Sequence, residues 1–162
     1  GARLPLAGET QGGRSYRVAA LNLRLDTPVP IAFRQGWHDV EVSDDALVEW
    51  QWSLKDGTLT FANPRQDAEF FLQVDQPVAL ATAQRVEVRL GSEVVDSFAL
   101  APAAPSQIRR VRFTAAQFGE AETVTVVVSV DRTFVPARMP ELRNADTREL
   151  GARVFRAFLR PS

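Results

Sequence analysis

The chain holds no cysteine, and only one histidine, one methionine, one tyrosine and one lysine in 162 residues. Without cysteine there is no disulfide, no thiolate metal site and no cysteine nucleophile. The redox compartment stays open, because a chain without thiols is compatible with either environment. His38 is the only imidazole, so any triad or histidine base must use it, and no G-x-S-x-G elbow accompanies it. A net charge of −1 removes bulk attraction to nucleic acid or to an anionic membrane. No apolar run approaches the ~18 residues of a membrane-spanning helix, and no cleavable secretory signal is visible at the start. The Gly12-Gly13 pair lacks the rest of a phosphate-binding loop. The missing initiator methionine leads us to expect a piece of a longer protein, with Gly1-Ala2 as a cloning remnant.

What is present is an ordinary globular composition, 45% hydrophobic and 24% charged, which excludes disorder as the main state. Its basic residues are arginines apart from Lys55. They are spread along the whole chain, which points to genome composition more than to a special site. The one dense group is Arg109, Arg110 and Arg112. In a strand Arg110 and Arg112 project to one side and Val111 and Phe113 to the other, so the arginines read as a solvated strand face.

Residues 1–15 are polar and glycine-rich and read as a tail or linker. Residues 16–25 place Leu21, Leu23 and Leu25 on one face of a strand. Residues 31–34 form a short strand before Gly36. Residues 36–58 read as a long irregular, acidic stretch holding all three tryptophans. Strands resume at Leu59–Ala62 and Glu69–Val74, separated by the Asn63-Pro64 turn signal. Val86, Val88 and Leu90 alternate with Glu87 and Arg89; then Gly91-Ser92 and the run Glu93–Leu100 complete a hairpin. Glycine at the first loop position suits a type II′ turn. Ile108–Phe113 is a further strand, and Thr114–Phe118 reads as one helical turn capped by Thr114. The valines at 124, 126, 128 and 130 mark a strand whose second face is also partly apolar, so it belongs in the middle of its sheet. Residues 132–149 are irregular, and 150–159 fit a helix stripe or a strand equally well. About eight or nine short strands with little helix argue for one antiparallel β-sandwich of jelly-roll type over residues 16–162.

The chemistry-bearing residues are few. Trp37, Trp50 and Trp52 lie close together, and Trp50 and Trp52 share a face if residues 48–52 are extended. Exposed indole faces stack on sugar rings; buried ones plug the end of a sandwich. Asp39, Asp44 and Asp45 form an oxygen-rich loop that would suit calcium; the commoner explanation is a solvated acidic loop, and no cofactor is expected. Asp146 and Arg148 can pair, and Gly151 serves either a positive φ or a close backbone approach.

The order of these features resembles a known family. Gly36-Trp37-His38-x-x-Glu41 precedes Trp50-x-Trp52, followed by Leu90-Gly91-Ser92, Phe134-x-Pro136 and Asp146-x-Arg148-x-Leu150-Gly151. The set, over about residues 17–160, resembles the carbohydrate-binding-module-like carboxy-terminal domain of bacterial multispanning membrane glycosyltransferases and related membrane proteins. Gln51 and Ser53 stand where that pattern has arginine and threonine, and Gly91-Ser92 replaces its asparagine–glycine turn. The resemblance implies that residues 153–159 are a strand. It also implies an extracytoplasmic setting beside a membrane-embedded parent. On these grounds the expected role is a non-catalytic accessory domain of cell-envelope polysaccharide synthesis. Trp37, His38, Glu41, Trp50 and Trp52 would contact a glycan, the indoles by stacking and Glu41 and His38 by hydrogen-bonding hydroxyls. A structural module packed on its parent or on another copy is the alternative, and a small glycan-active enzyme using a carboxylate pair near His38 is a third. No nucleic acid partner and no direct membrane insertion are expected.

Overall fold

The computed structural model describes residues 27–162. The tail over 1–15, the strand expected over 16–25 and the domain start at 16 lie outside the described residues. Ten strands among the described residues build two sheets. The first has the order β1 (Ala32–Phe33), β4 (Asp56–Ala62), β9 (Thr123–Val130), β6 (Gln84–Leu90), β7 (Glu93–Leu100). The second has the order β2 (Glu41–Val42), β3 (Glu49–Trp52), β10 (Arg153–Pro161), β5 (Ala68–Asp75), β8 (Gln107–Phe113). All strand pairs are antiparallel, and the two sheets pack as a jelly-roll β-sandwich, as the alternation predicts.

The core follows from period-two patterning. Phe70, Leu72 and Val74 of β5 meet Val86 and Val88 of β6 and the four even-numbered valines of β9, all buried. Each such side chain contributes about 1.5–3 kcal/mol by leaving water. β9 lies between β4 and β6, which explains why Val127, on its outer face, is also half-buried. In the hairpin, Gly91 takes φ +60° and Ser92 keeps a negative φ, the pattern a type II′ turn needs. Thr114 caps the single turn of α1 (Ala115–Phe118) through a capping box with Gln117, and Phe118 then plugs the core against Phe61 and Phe113.

Two stretches depart from the sequence expectation. Residues 36–58 are not simply irregular: they supply β2, β3 and the start of β4. β2 and β3 are two and four residues long, too short for alternation to show. The ambiguous run at 150–159 holds the strand β10, Arg153–Pro161, as the family resemblance implies for 153–159. Its ambiguity has a physical cause: β10 is irregular between Val154 and Arg156. Val154 and Leu159 are buried and Ala157 packs beside them, while Arg156, Phe158 and Arg160 face outward. Val154 and Ala157 are an odd number of residues apart, so a regular strand cannot turn both inward; the bulge resets the phase. Residues 132–149 contain only two 3-10 turns, Pro136–Arg138 and Pro140–Leu142.

Candidate functional site

Two of the three tryptophans are packed into the fold. Trp52 keeps 6% of its surface exposed and meets Phe134 edge-on at 6.0 Å. Trp37 packs against the core, edge-on to Phe33 at 4.8 Å, and its indole N–H donates to the Thr58 carbonyl at 2.9 Å. A Cβ on Gly57 would lie 2.5 Å from the Trp37 ring, so glycine is what lets that ring close down. His38 and Glu41 are also engaged. His38 Nε2 lies 2.7 Å from the Glu149 carbonyl, which can only accept, so Nε2 carries the proton. Glu41 accepts from Arg148 Nη1 at 2.8 Å. Gln51 donates to the His38 carbonyl at 3.0 Å from the position where the family pattern has arginine.

Arg148 explains the motif that contains it. It grips Asp146 through Nε and Nη2, at 3.0 and 2.7 Å, while Nη1 holds Glu41 on β2. The clamp ties the irregular 132–149 segment to the edge of the second sheet. Its hydrogen bond from Arg148 is the main reason the Asp146 carboxyl is held below its ordinary range, and the same pair raises Arg148. A depressed folded pKa gives stability that is present above the unfolded value of about 3.9 and is lost as pH falls through the folded value. Both partners are partly solvated, so the effect is small. Asp146→Asn is therefore expected to cost about 1 kcal/mol at neutral pH. The gap to the parent should close well below about pH 4. Urea melts at both pH values check this, and an equal gap at both would refute it.

The acidic loop builds a turn. Asp45 Oδ1 accepts from the Ser43 hydroxyl at 2.6 Å and the Leu47 N–H at 3.1 Å, and these bonds lower its pKa, the Ser43 bond most. Asp39 and Asp44 are exposed. No group of three or more His, Asp or Glu side chains among the described residues is gathered to hold a metal.

The side chains that do assemble into a surface feature lie on the outer face of the second sheet. Register places Phe158 of β10 opposite Phe71 of β5, and Phe71 opposite Arg110 of β8. Phe71 and Phe158 stack at 4.7 Å with an interplanar angle of 9°. Guanidinium groups lie on these rings: Arg160 at 5.0 Å and Arg110 at 5.9 Å from Phe71, and Arg156 at 5.2 Å from Phe158. Next along β10, Phe155 meets Trp50 edge-on at 6.4 Å, and Arg153 lies over both rings. Trp50 is the only member of the expected contact set on this ledge. Its indole N–H is buried with no partner among the described residues, a state that costs roughly 1–3 kcal/mol. Trp37 shows the opposite, a satisfied structural ring.

A gap in the sheet deepens the ledge. β3 pairs with β10 only through Trp52↔Arg153 and Gln51↔Val154, and the chain next meets β10 at Val29↔Leu159. Residues 155–158 have no paired strand on that side among the described residues. A groove of about 280 Å³ opens there, walled by Trp50, Phe155, Arg156 and Phe158. A second groove of about 260 Å³ lies beyond Phe158, between Phe71, Gln73, Ile108 and Arg156. The sequence signal for this face was the adjacent apolar pairs Phe70-Phe71 and Phe158-Leu159. In a strand such a pair puts one ring on each face, so a second apolar surface exists outside the core.

No protein-family model matches the chain, and no curated protein matches it. Solved structures do. One is a family GH115 4-O-methyl-α-glucuronidase with specificity for decorated arabinogalactans, at 13% identity and a TM-score of 0.52, covering 84% of this chain. The chain spans only 18% of that enzyme's length. Another is the CBM36-1 domain of a multidomain xylanase from the hindgut metagenome of Trinervitermes trinervoides, at 9% identity and a TM-score of 0.42, covering 81% of this chain and 94% of that one. A third is the CBM22-1 xylan-binding domain from Paenibacillus barcinonensis, at 8% identity and a TM-score of 0.45, covering 81% of this chain and 85% of that one. The likeness to the glucuronidase is one of fold alone. No helix among the described residues is long and apolar enough to cross a membrane.

Proposed function

We propose that the domain is a non-catalytic glycan-binding module whose contact surface is the aromatic ledge on the outer face of the second sheet. The observation that carries this reading is the row Trp50, Phe155, Phe158 and Phe71 along two adjoining grooves. A pyranose ring presents axial C–H groups to such π faces, and arginines beside them supply fixed N–H donors to hydroxyls. Compared with the contact set read from sequence, Trp50 is kept. Phe71, Phe155, Phe158 and Arg156 are added, and Trp37 and Trp52 become the packing that holds β3 in place. The ordered motif set further supports an accessory role beside a cell-envelope glycosyltransferase, on the extracytoplasmic side and attached to a membrane-embedded parent.

A second reading has a specific observation behind it. The Trp50 indole N–H on the ledge has no partner among the described residues, a donor that a packed surface of the parent protein would satisfy. Binding measurements separate the two. Affinity electrophoresis through a panel of polysaccharides is expected to retard the domain. Phe158→Ala and Trp50→Ala should each weaken the retarding interaction about tenfold, ~1.4 kcal/mol, while melting curves stay cooperative. A folded domain that no polysaccharide retards, or variants that bind as the parent does, would favour the packing reading.

A further inference from the structure

Resting on the glycan-binding reading, we propose that the ligand is acidic, a polysaccharide bearing carboxylate or sulfate groups, and that Arg156 is its principal anion contact. Five guanidinium groups occupy the outer face of β5, β8 and β10: Arg110, Arg112, Arg153, Arg156 and Arg160. Three carboxylates answer them. Asp75 takes Arg153 in a two-pronged bond at 2.9 and 2.8 Å, a closed pair with Asp75 nearly buried. Glu69 is shared by Arg110 at 3.6 Å and Arg160 at 3.7 Å, both beyond good hydrogen-bond length. Asp67 lies 3.6 Å from Arg112. The face therefore carries an excess of positive charge in a chain whose net charge is −1. Its acidic margin is Glu49, across the groove from Arg156, together with Glu41 and Asp146, which share Arg148.

Arg156 is distinct in this set. It is exposed, lies over Phe158 and lines both grooves, and no carboxylate pairs with it among the described residues. A guanidinium held over a ring beside two grooves presents a flat fork of N–H donors at the height where a stacked sugar carries its substituents. That fork matches a carboxylate or sulfate in a two-pronged bond. Arg110 and Arg160, loosely held by one carboxylate, can turn to a second anionic group along the same chain. A neutral ligand would use the rings and leave this charge unmatched.

The test uses the full chain and matched polymers: polygalacturonate, alginate, hyaluronan and chondroitin sulfate, each beside its neutral form, carboxyl-reduced and, for chondroitin sulfate, desulfated as well. The charged form is expected to bind at least tenfold more tightly at low salt, with the ratio falling as sodium chloride rises past ~0.1 M. Arg156→Gln should remove most of the charged-over-neutral ratio, and Arg156→Lys should restore only part of it, because charge returns without the fork. If charged and neutral forms bind alike and Phe158→Ala weakens both, the glycan reading stands and the acidic ligand is refuted. A folded domain that binds neither form loses both readings. Equal binding of every polyanion tried, DNA included, with Phe158→Ala unchanged, would reduce the arginines to unspecific attraction and overturn the proposal.

Discussion

Gly151→Ala is expected to destabilise the domain by about 3 kcal/mol or more, enough to leave a small sandwich only marginally folded. The cause is space and not φ. Gly151 is absent from the positive-φ glycines, but a Cβ there would lie 2.6 Å from the Leu54 carbonyl oxygen, and closer still to Ser53 Oγ. Both neighbours are fixed. The Ser53 hydroxyl accepts the Ala152 N–H at 3.0 Å, and the Ser53 carbonyl accepts the Gly151 N–H at 2.6 Å. Nothing flexible can yield, so the backbone of the loop must move away from β3. Gly119→Ala is the matched control. It meets no atom within 4 Å, so its cost is backbone strain alone: φ +72° with ψ −157° is a conformation side-chain-bearing residues rarely adopt, at about 1–3 kcal/mol. Urea midpoints of the two variants measure the difference. A Gly151→Ala protein as stable as the Gly119→Ala protein would show that the loop is looser than this packing implies.

The second large effect concerns the carbonyl of the same glycine. Gln76 and Gln84 are fully buried, and their polar atoms are matched. Gln76 Nε2 donates to the Gln84 Oε1 at 2.9 Å and to the Gly151 carbonyl at 2.9 Å. Gln84 Nε2 donates to the Gly151 carbonyl at 3.1 Å and to the Arg132 carbonyl at 2.9 Å. Gln76 Oε1 accepts the Val78 N–H at 3.1 Å. This network joins the end of β5, the start of β6, the exit of β9 and the approach to β10, so it pins both sheets at one end of the sandwich. Gln84→Ala should cost about 3 kcal/mol: it opens a cavity and leaves a buried donor and buried carbonyls short of a partner. Changing both glutamines to leucine should cost clearly less than the two single changes added together, because the second substitution removes a group the first left unpaired. A double-mutant cycle by chemical denaturation reads this directly. Additive losses would mean that the two amides act independently.

Much of this was open to reading from residues alone, and the exceptions share a cause. Alternation is local, so the strands around Val86–Leu90 and Val124–Val130 and the type II′ turn at Gly91 follow from their own neighbours. So does the Thr114 cap, which needs only a residue three positions away. Glycine at 151 was readable as a close approach, but the atoms approached, Ser53 and Leu54, come from another part of the chain. The aspartates of the 39–45 loop read as a solvated acidic loop or as oxygen ligands, because composition does not reveal that Asp45 accepts the Ser43 hydroxyl and the Leu47 N–H in a turn.

By itself, the sequence determined an antiparallel sandwich, the middle position of β9 and the absence of cysteine chemistry, because each depends on residue type and on period-two spacing. Only the tertiary structure decided which aromatics face water. Strand register brought Phe71 beside Phe158, a bulge turned Phe155 and Arg156 outward together, and the early divergence of β3 opened the groove at Trp50. The physical reason is that burial of an aromatic is set by what packs over it. For Trp37 and Trp52 that cover comes from Gly57 and Phe134, and for the rings of the second sheet nothing among the described residues covers them fully.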